Sequence, residues 1–234
     1  MTRVLVPVKV LEGETVSPGL IDLLETLDVT VLGYHVLPEQ TPPDQARLQY
    51  EDRATAALED LAKEFETTGG LADYRLVFTH DREQTINRIA EEVQARAFAI
   101  SGVTGDVDRL LVTLSGDVAV DRILLFVSEL VGDRDIGVTL FSVSKDEATA
   151  GTDRLEEAAA QLREAGVDVE TTLATEGSPF EALIEAMPEH DAIVMGEKAP
   201  SLRSLVFGEE AERVAAASVG PVLVVRYDKA LDAE

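Results

Sequence analysis

The 234 residues suffice for one large domain or two small ones, and the absence of cysteine excludes disulfides, thiol catalysis and Cys-ligated zinc. Forty-five acidic against 20 basic residues give a formal net charge of −25, a surface that repels nucleic acid phosphates and anionic lipid. The chain is 45% hydrophobic but 5% aromatic, which suits an Ala/Val/Leu-rich α/β protein.

No apolar run reaches the length of a membrane span; ILLFV at 123–127 sits between Arg122 and Glu129. MTRVLVPV lacks the apolar core and cleavage site of a signal peptide, so the chain reads as cytosolic, with no membrane insertion. The acids are spread along the whole length. That fits adaptation to a salt-rich cytoplasm better than a specialised acidic binding face.

In chain order, RVLVPV (3–8) is a short β-branched run and a buried strand. Ser17-Pro18, a cap residue followed by proline at the first helical position, starts a helix with Leu20, Leu23, Leu24 and Leu27 on one face. VTVLGYHVL (29–37) is the next strand, followed by a long amphipathic helix entered through prolines and ended by Gly69-Gly70. YRLVFT (74–79), a helix over 82–95 and the strand FAIS (98–101) complete the first half. The order then restarts: strand 109–114, helix 118–131, strand 136–143, helix 146–166 and strand 167–175. Helix 178–187 opens with a capping box, Ser178 and Glu181. Strand 192–195, a loop, the helix EEAERVAAAS and the strand PVLVVR (221–226) end the chain.

Alternating βα units with buried apolar strands mean parallel sheet covered by helices on both faces. The repeat of the order predicts two tandem doubly wound α/β domains, 1–107 and 108–234, joined by the short GVTGDVD (102–108). The first lacks the final helix and fifth strand of the second.

VLVPV at the start, YHVL, GSPFEAL, AIVMGEK and AERVAAASVGPVLVVR together resemble a tandem universal stress protein over nearly the whole chain, most closely in 109–227. The resemblance implies a five-stranded, Rossmann-like sheet of the adenine nucleotide alpha hydrolase class, dimerisation through the last strand and, in one branch, ATP or AMP binding. In that branch the loop after the fourth strand reads G-x2-G-x9-G-[S/T]; glycines let the backbone close on phosphates and helix-start amides donate to them. Gly196 fits the first glycine. Ala199 stands at the second, Gly208 comes one residue early, and Glu209 holds the hydroxyl position. A carboxylate there would satisfy the amides itself and oppose a phosphate, with Lys198 and Arg203 in partial compensation. The strand-one aspartate of binding members is replaced by Ser115 in the second half and Lys9 in the first. The first half keeps only Gly102 and Gly105 of its loop. Two readings stay open: a phosphate site, or a strand exit and a helix start outlined by Gly196 and Gly208.

His35, His80 and His190 have no partner at metal-ligand spacing, and His35 reads as a packing residue. Ser115-Gly116-Asp117 lacks a nucleophile elbow, and Asp117 reads as a helix cap. Asp81-Arg82-Glu83 and Asp133-Arg134-Asp135 read as solvated turn charges. With no catalytic constellation, the expectation is a non-enzymatic stress or regulatory protein acting through an unidentified protein partner. An adenine-nucleotide sensor, or the soluble regulator of a transporter, is the alternative. The apolar Val222, Leu223, Val224 and Val225 predict an edge strand that pairs with its copy across a two-fold axis, giving a homodimer.

Overall fold

RVLVPV forms strand β1 (Arg3–Val8), whose alternate side chains go to opposite faces. Val4, Val6 and Val8 join one core; Leu5 joins the other. The computed structural model describes residues 2–102, 104–114, 119–144, 148–196 and 220–226. The remaining strands are β2 (Asp28–Val36), β3 (Ala72–Thr79), β4 (Ala97–Ile100), β5 (Arg109–Thr113), β6 (Gly137–Val143), β7 (Val169–Ala174), β8 (Ala192–Gly196) and β9 (Val222–Val225). The helices are α1 (Pro18–Leu23), α2 (Pro43–Thr67), α3 (Arg82–Glu92), α4 (Val120–Val131), α5 (Ala148–Glu164) and α6 (Pro179–Ala186).

The nine strands of the described residues form one sheet in the order β3-β2-β1-β4-β9-β8-β5-β6-β7. Each half places its second and third strands to one side of the first and its fourth to the other. That reversal requires crossovers on opposite faces, since parallel connections are right-handed. Accordingly α1, α2, α4 and α5 pack on one face and α3 and α6 on the other. Every described strand pairing is parallel except one. β4 runs antiparallel to β9, with Phe98 opposite Val224 and Ile100 opposite Val222.

That pairing corrects the expected dimer strand. β9 is no edge, because β8 holds one side and β4 the other. The first half ends without a fifth strand and leaves β4 open, and the chain's own last strand fills the gap. Val222 and Val224 go to the α3/α6 face while Leu223 and Val225 go to the opposite one. Val222–Val225 are buried and offer a partner no unpaired backbone.

Three local expectations also change. Ser17 stands at the start of α1, but its hydroxyl makes no cap bond. Asp81 is not a free turn charge: its Oδ1 accepts from the Gln84 amide at 2.9 Å and caps α3. Arg134 is half-buried, and its guanidinium donates to the carbonyls of Asp22 and Leu23 at the end of α1 and of Leu130 and Val131 at the end of α4. Burial pushes that guanidinium below the usual arginine value, while Glu25 and Asp22 push back. The Ser178–Glu181 capping box forms as expected. Among the described residues no helix is long and apolar enough to cross a membrane.

Candidate ligand-binding site

In sheets of this topology the crevice lies at the carboxyl end of the strand where the order reverses. In the second half that strand is β5, flanked by β6 and β8. To the β6 side of that point, between α4 and α5 and the ends of β5 and β6, lies a cavity of about 510 Å³, within the range of small-molecule sites; β8 contributes no described lining residue. Leu114, leaving β5, and Val143, near the end of β6, give it apolar walls with Leu155 and Ala158 of α5. Ser142, Ser144 and Gln161 add hydrogen-bonding groups; Asp121 and Glu157 add acids, and Arg154 is the one cation among the described lining residues. Small residues keep the space open. A side chain on Gly151 would put its Cβ 3.1 Å from that of Ser144, a crowded contact.

The corresponding end of the first half is filled. Leu37, Ala46 and Phe78 are buried there, with Leu11, Tyr50 and Leu76 packed against them. His35 sits edge-on to Tyr50 and Phe78, at 6.2 and 6.4 Å between ring centroids. Lys9, at the position of the missing aspartate, is tied to its own turn: its amide donates to Glu14 and its ammonium lies 3.6 Å from Glu12. One half has room for a ligand; the other has a hydrophobic plug.

Of the residues singled out in the sequence, Gly196 is buried at the end of β8, where Met195 pairs with Thr113 of β5. Ser115, Asp117, Lys198, Ala199, Arg203, Gly208 and Glu209 lie outside the described residues. Gly102 serves close backbone packing, and the Gly105 carbonyl packs against Gly19, while a side chain on Gly105 itself would meet nothing. A side chain on Gly102 would overlap the Gly220 carbonyl, and one on Gly19 would overlap the carbonyl of Gly105.

The histidines remain apart. His80 lies 3.1 Å from the Thr41 carbonyl, and His190 is buried between Ala186 and Thr139. Among the described residues no cluster of His, Asp or Glu is arranged to hold a metal ion. Sequence reasoning passed over Arg154, Gly151 and Ala158. A glycine inside a long helix, which costs about 1 kcal/mol relative to alanine, was the available signal.

The sequence model of the universal stress protein family matches residues 106–226. No curated protein matches the chain. Among solved structures, the chain is similar to a universal stress protein from Archaeoglobus fulgidus DSM 4304, at 18% identity and a TM-score of 0.69 over 97% of both chains. It is also similar to the cytoplasmic domain of a prokaryotic cation chloride cotransporter, at 12% identity and a TM-score of 0.53 over 95% of this chain and 94% of that one. A universal stress protein from Archaeoglobus fulgidus in complex with dAMP aligns at 23% identity and a TM-score of 0.39, over 50% of this chain and 96% of its own. The family match spans more than half of the chain and takes in every strand from β5 to β9: the chain belongs to the universal stress protein family.

Proposed function

We propose that this chain is a non-enzymatic, cytoplasmic regulator of the stress response that senses an adenine nucleotide in the cavity of its second half. The observation that carries the reading is the asymmetry between the halves: a cavity of about 510 Å³ stands at the ends of β5 and β6, whereas a hydrophobic cluster stands at the carboxyl end of the first half, beyond β2 and β3. The apolar walls suit a purine ring, Ser142, Ser144 and Gln161 suit its polar edge and ribose, and Arg154 suits a phosphate.

Asp121 and Glu157 oppose a long phosphate tail, so AMP fits this set better than ATP. By their place in the sequence, Lys198, Ala199, Arg203, Gly208 and the Glu209 amide would be the further contacts to its phosphate. We read residues 1–107 and 108–234 as two units that share β9, the second carrying the ligand site.

Melting temperature in the presence of AMP, ATP and adenosine tests this reading, because a ligand that binds only the folded state raises it. AMP should give the largest rise, and chromatography of the denatured protein should release bound nucleotide. No rise with any of the three, and no released nucleotide, overturns it.

A second reading has its own support in the fold likeness to a cotransporter's cytoplasmic domain along 95% of the chain. The chain would then regulate a membrane transporter in trans. Cross-linking to a membrane fraction under salt stress tests that reading, and recovery of soluble proteins alone contradicts it.

A further inference from the structure

Helix α4 meets the cavity with its first turn and the other half of the molecule with its last. Val120 and Asp121 line the cavity. At about 1.5 Å per residue the helix then runs about 18 Å to Val131. Ile123, Leu124, Phe126, Val127, Leu130 and Val131 are buried along it, and only Asp121 and Leu125 are exposed. α4 packs on α5, β8 and β9, and β9 is the strand that holds β4 of the first half.

Past its end, Gly132 turns the chain at φ 56° and Arg134 reaches back. One guanidinium serves the carbonyl ends of two helices, α4 and α1, with the Glu25 carboxylate 3.4 Å away. Thr26 adds a second tie, its hydroxyl donating to the Leu130 carbonyl at 3.1 Å. Cations and hydroxyl donors at helix carboxyl ends satisfy carbonyls that have no partner within the helix.

We propose that α4 couples the ligand cavity to the junction between the halves, with Arg134 as the residue that passes its position on to α1. A helix whose apolar face is buried along its whole length in a close-packed core moves as a body, by small sliding shifts, since the packed face resists bending. A ligand that presses on Val120 therefore shifts Leu130 and Val131. Those carbonyls share Arg134 with Asp22 and Leu23. The first half, whose own site is plugged, becomes the part that reads occupancy.

The ligand arm rests on the cavity reading above; a cavity-filling variant separates the two. Hydrogen exchange of the full chain is followed at the amides of Leu24 and Glu25, which bond to the Leu20 and Asp22 carbonyls at the end of α1. Ala158→Leu fills the cavity from α5 without any ligand, and AMP fills it in the wild type. Each should slow exchange at Leu24 and Glu25 by about threefold. The slowing should vanish in Arg134→Lys, which keeps the charge but loses the fork, and should weaken in Thr26→Val if the lysine variant fails to fold.

Slower exchange at the start of α4 with Leu24 and Glu25 unchanged overturns the coupling, as does an undiminished response in Arg134→Lys. A response to Ala158→Leu without one to AMP refutes the nucleotide reading and leaves the coupling standing. No response to either refutes the coupling.

Discussion

His190 Nε2 lies 2.8 Å from the Thr139 hydroxyl, a buried bond that ties the end of the α6 connection to the middle of β6. Its Nδ1 lies 2.8 Å from the Ala186 carbonyl, which can only accept, so in the neutral ring Nδ1 carries the proton and Nε2 accepts from Thr139. Thr30 holds the same register in the first half: Leu5 pairs with Thr30 as Leu111 pairs with Thr139. Ala95 precedes β4 as His190 precedes β8, and Thr30 is left buried with no partner.

The two threonines should therefore respond oppositely to the same change. Thr139→Val strands a buried imidazole nitrogen and should cost about 1–3 kcal/mol. Thr30→Val removes an unpartnered hydroxyl and should be neutral or stabilising. Urea unfolding of the two variants checks both signs, and equal losses would contradict the assignment.

Arg134→Ala should cost about 2–3 kcal/mol, because it removes charge-assisted bonds and leaves the carbonyl ends of two helices without donors. Arg134→Lys should recover only part of that loss, since an ammonium cannot reproduce the planar fork. Thermal unfolding measures both. A loss in Arg134→Ala no larger than that of an exposed arginine such as Arg47 would contradict the description of the junction.

Val224→Pro removes an amide from a strand that is interior to the sheet. It should cost about 3 kcal/mol or more and loosen the first half as well as the second. Circular dichroism and light scattering together distinguish this from an edge-strand role. Lost stability at unchanged mass is the expected result; a drop in mass with the fold intact would restore the dimer strand.

Much of the fold could be read from the residues, because strand and helix periodicity are local. RVLVPV, the prolines before α2 and the Ser178–Glu181 box each carry their own reason for the element they form. The two-sided apolar pattern of Val222 to Val225 announced burial, but periodicity cannot say which strand lies alongside, and β4 is more than a hundred residues away. Arg134 looked like a solvated turn charge because it stands between Asp133 and Asp135, and the helix end next to it, at Leu130 and Val131, is only part of what it serves. The carbonyls that it serves in α1 come from Asp22 and Leu23, more than a hundred residues away and brought there only by the fold. The cavity was hidden for the same reason: it is set by what Gly151 and Ala158 leave unfilled, against what Tyr50 and Leu11 fill in the other half.

High salt should stabilise the fold. Ion pairs such as Arg47–Glu51 and Lys63–Asp60 are more than half exposed and contribute little, whereas the repulsion implied by a net charge of −25 acts over the whole surface. The Debye length falls from about 10 Å at 0.1 M to about 3 Å at 1 M, which shortens that repulsion. The melting temperature should rise between those concentrations, and a fall would count against adaptation to salt.

Calorimetric titration of AMP into the 234-residue chain, alongside an Arg154→Glu variant, tests nucleotide binding in the cavity. Arg154 is the cation among the described residues around the cavity, and reversing its charge leaves a phosphate facing Asp121, Glu157 and a third carboxylate. One AMP should bind per chain in the wild type, with a loss of about tenfold or more in affinity in the variant, the size expected for one charge-assisted contact. No heat of binding in the wild type, or an affinity unchanged by Arg154→Glu, would contradict it.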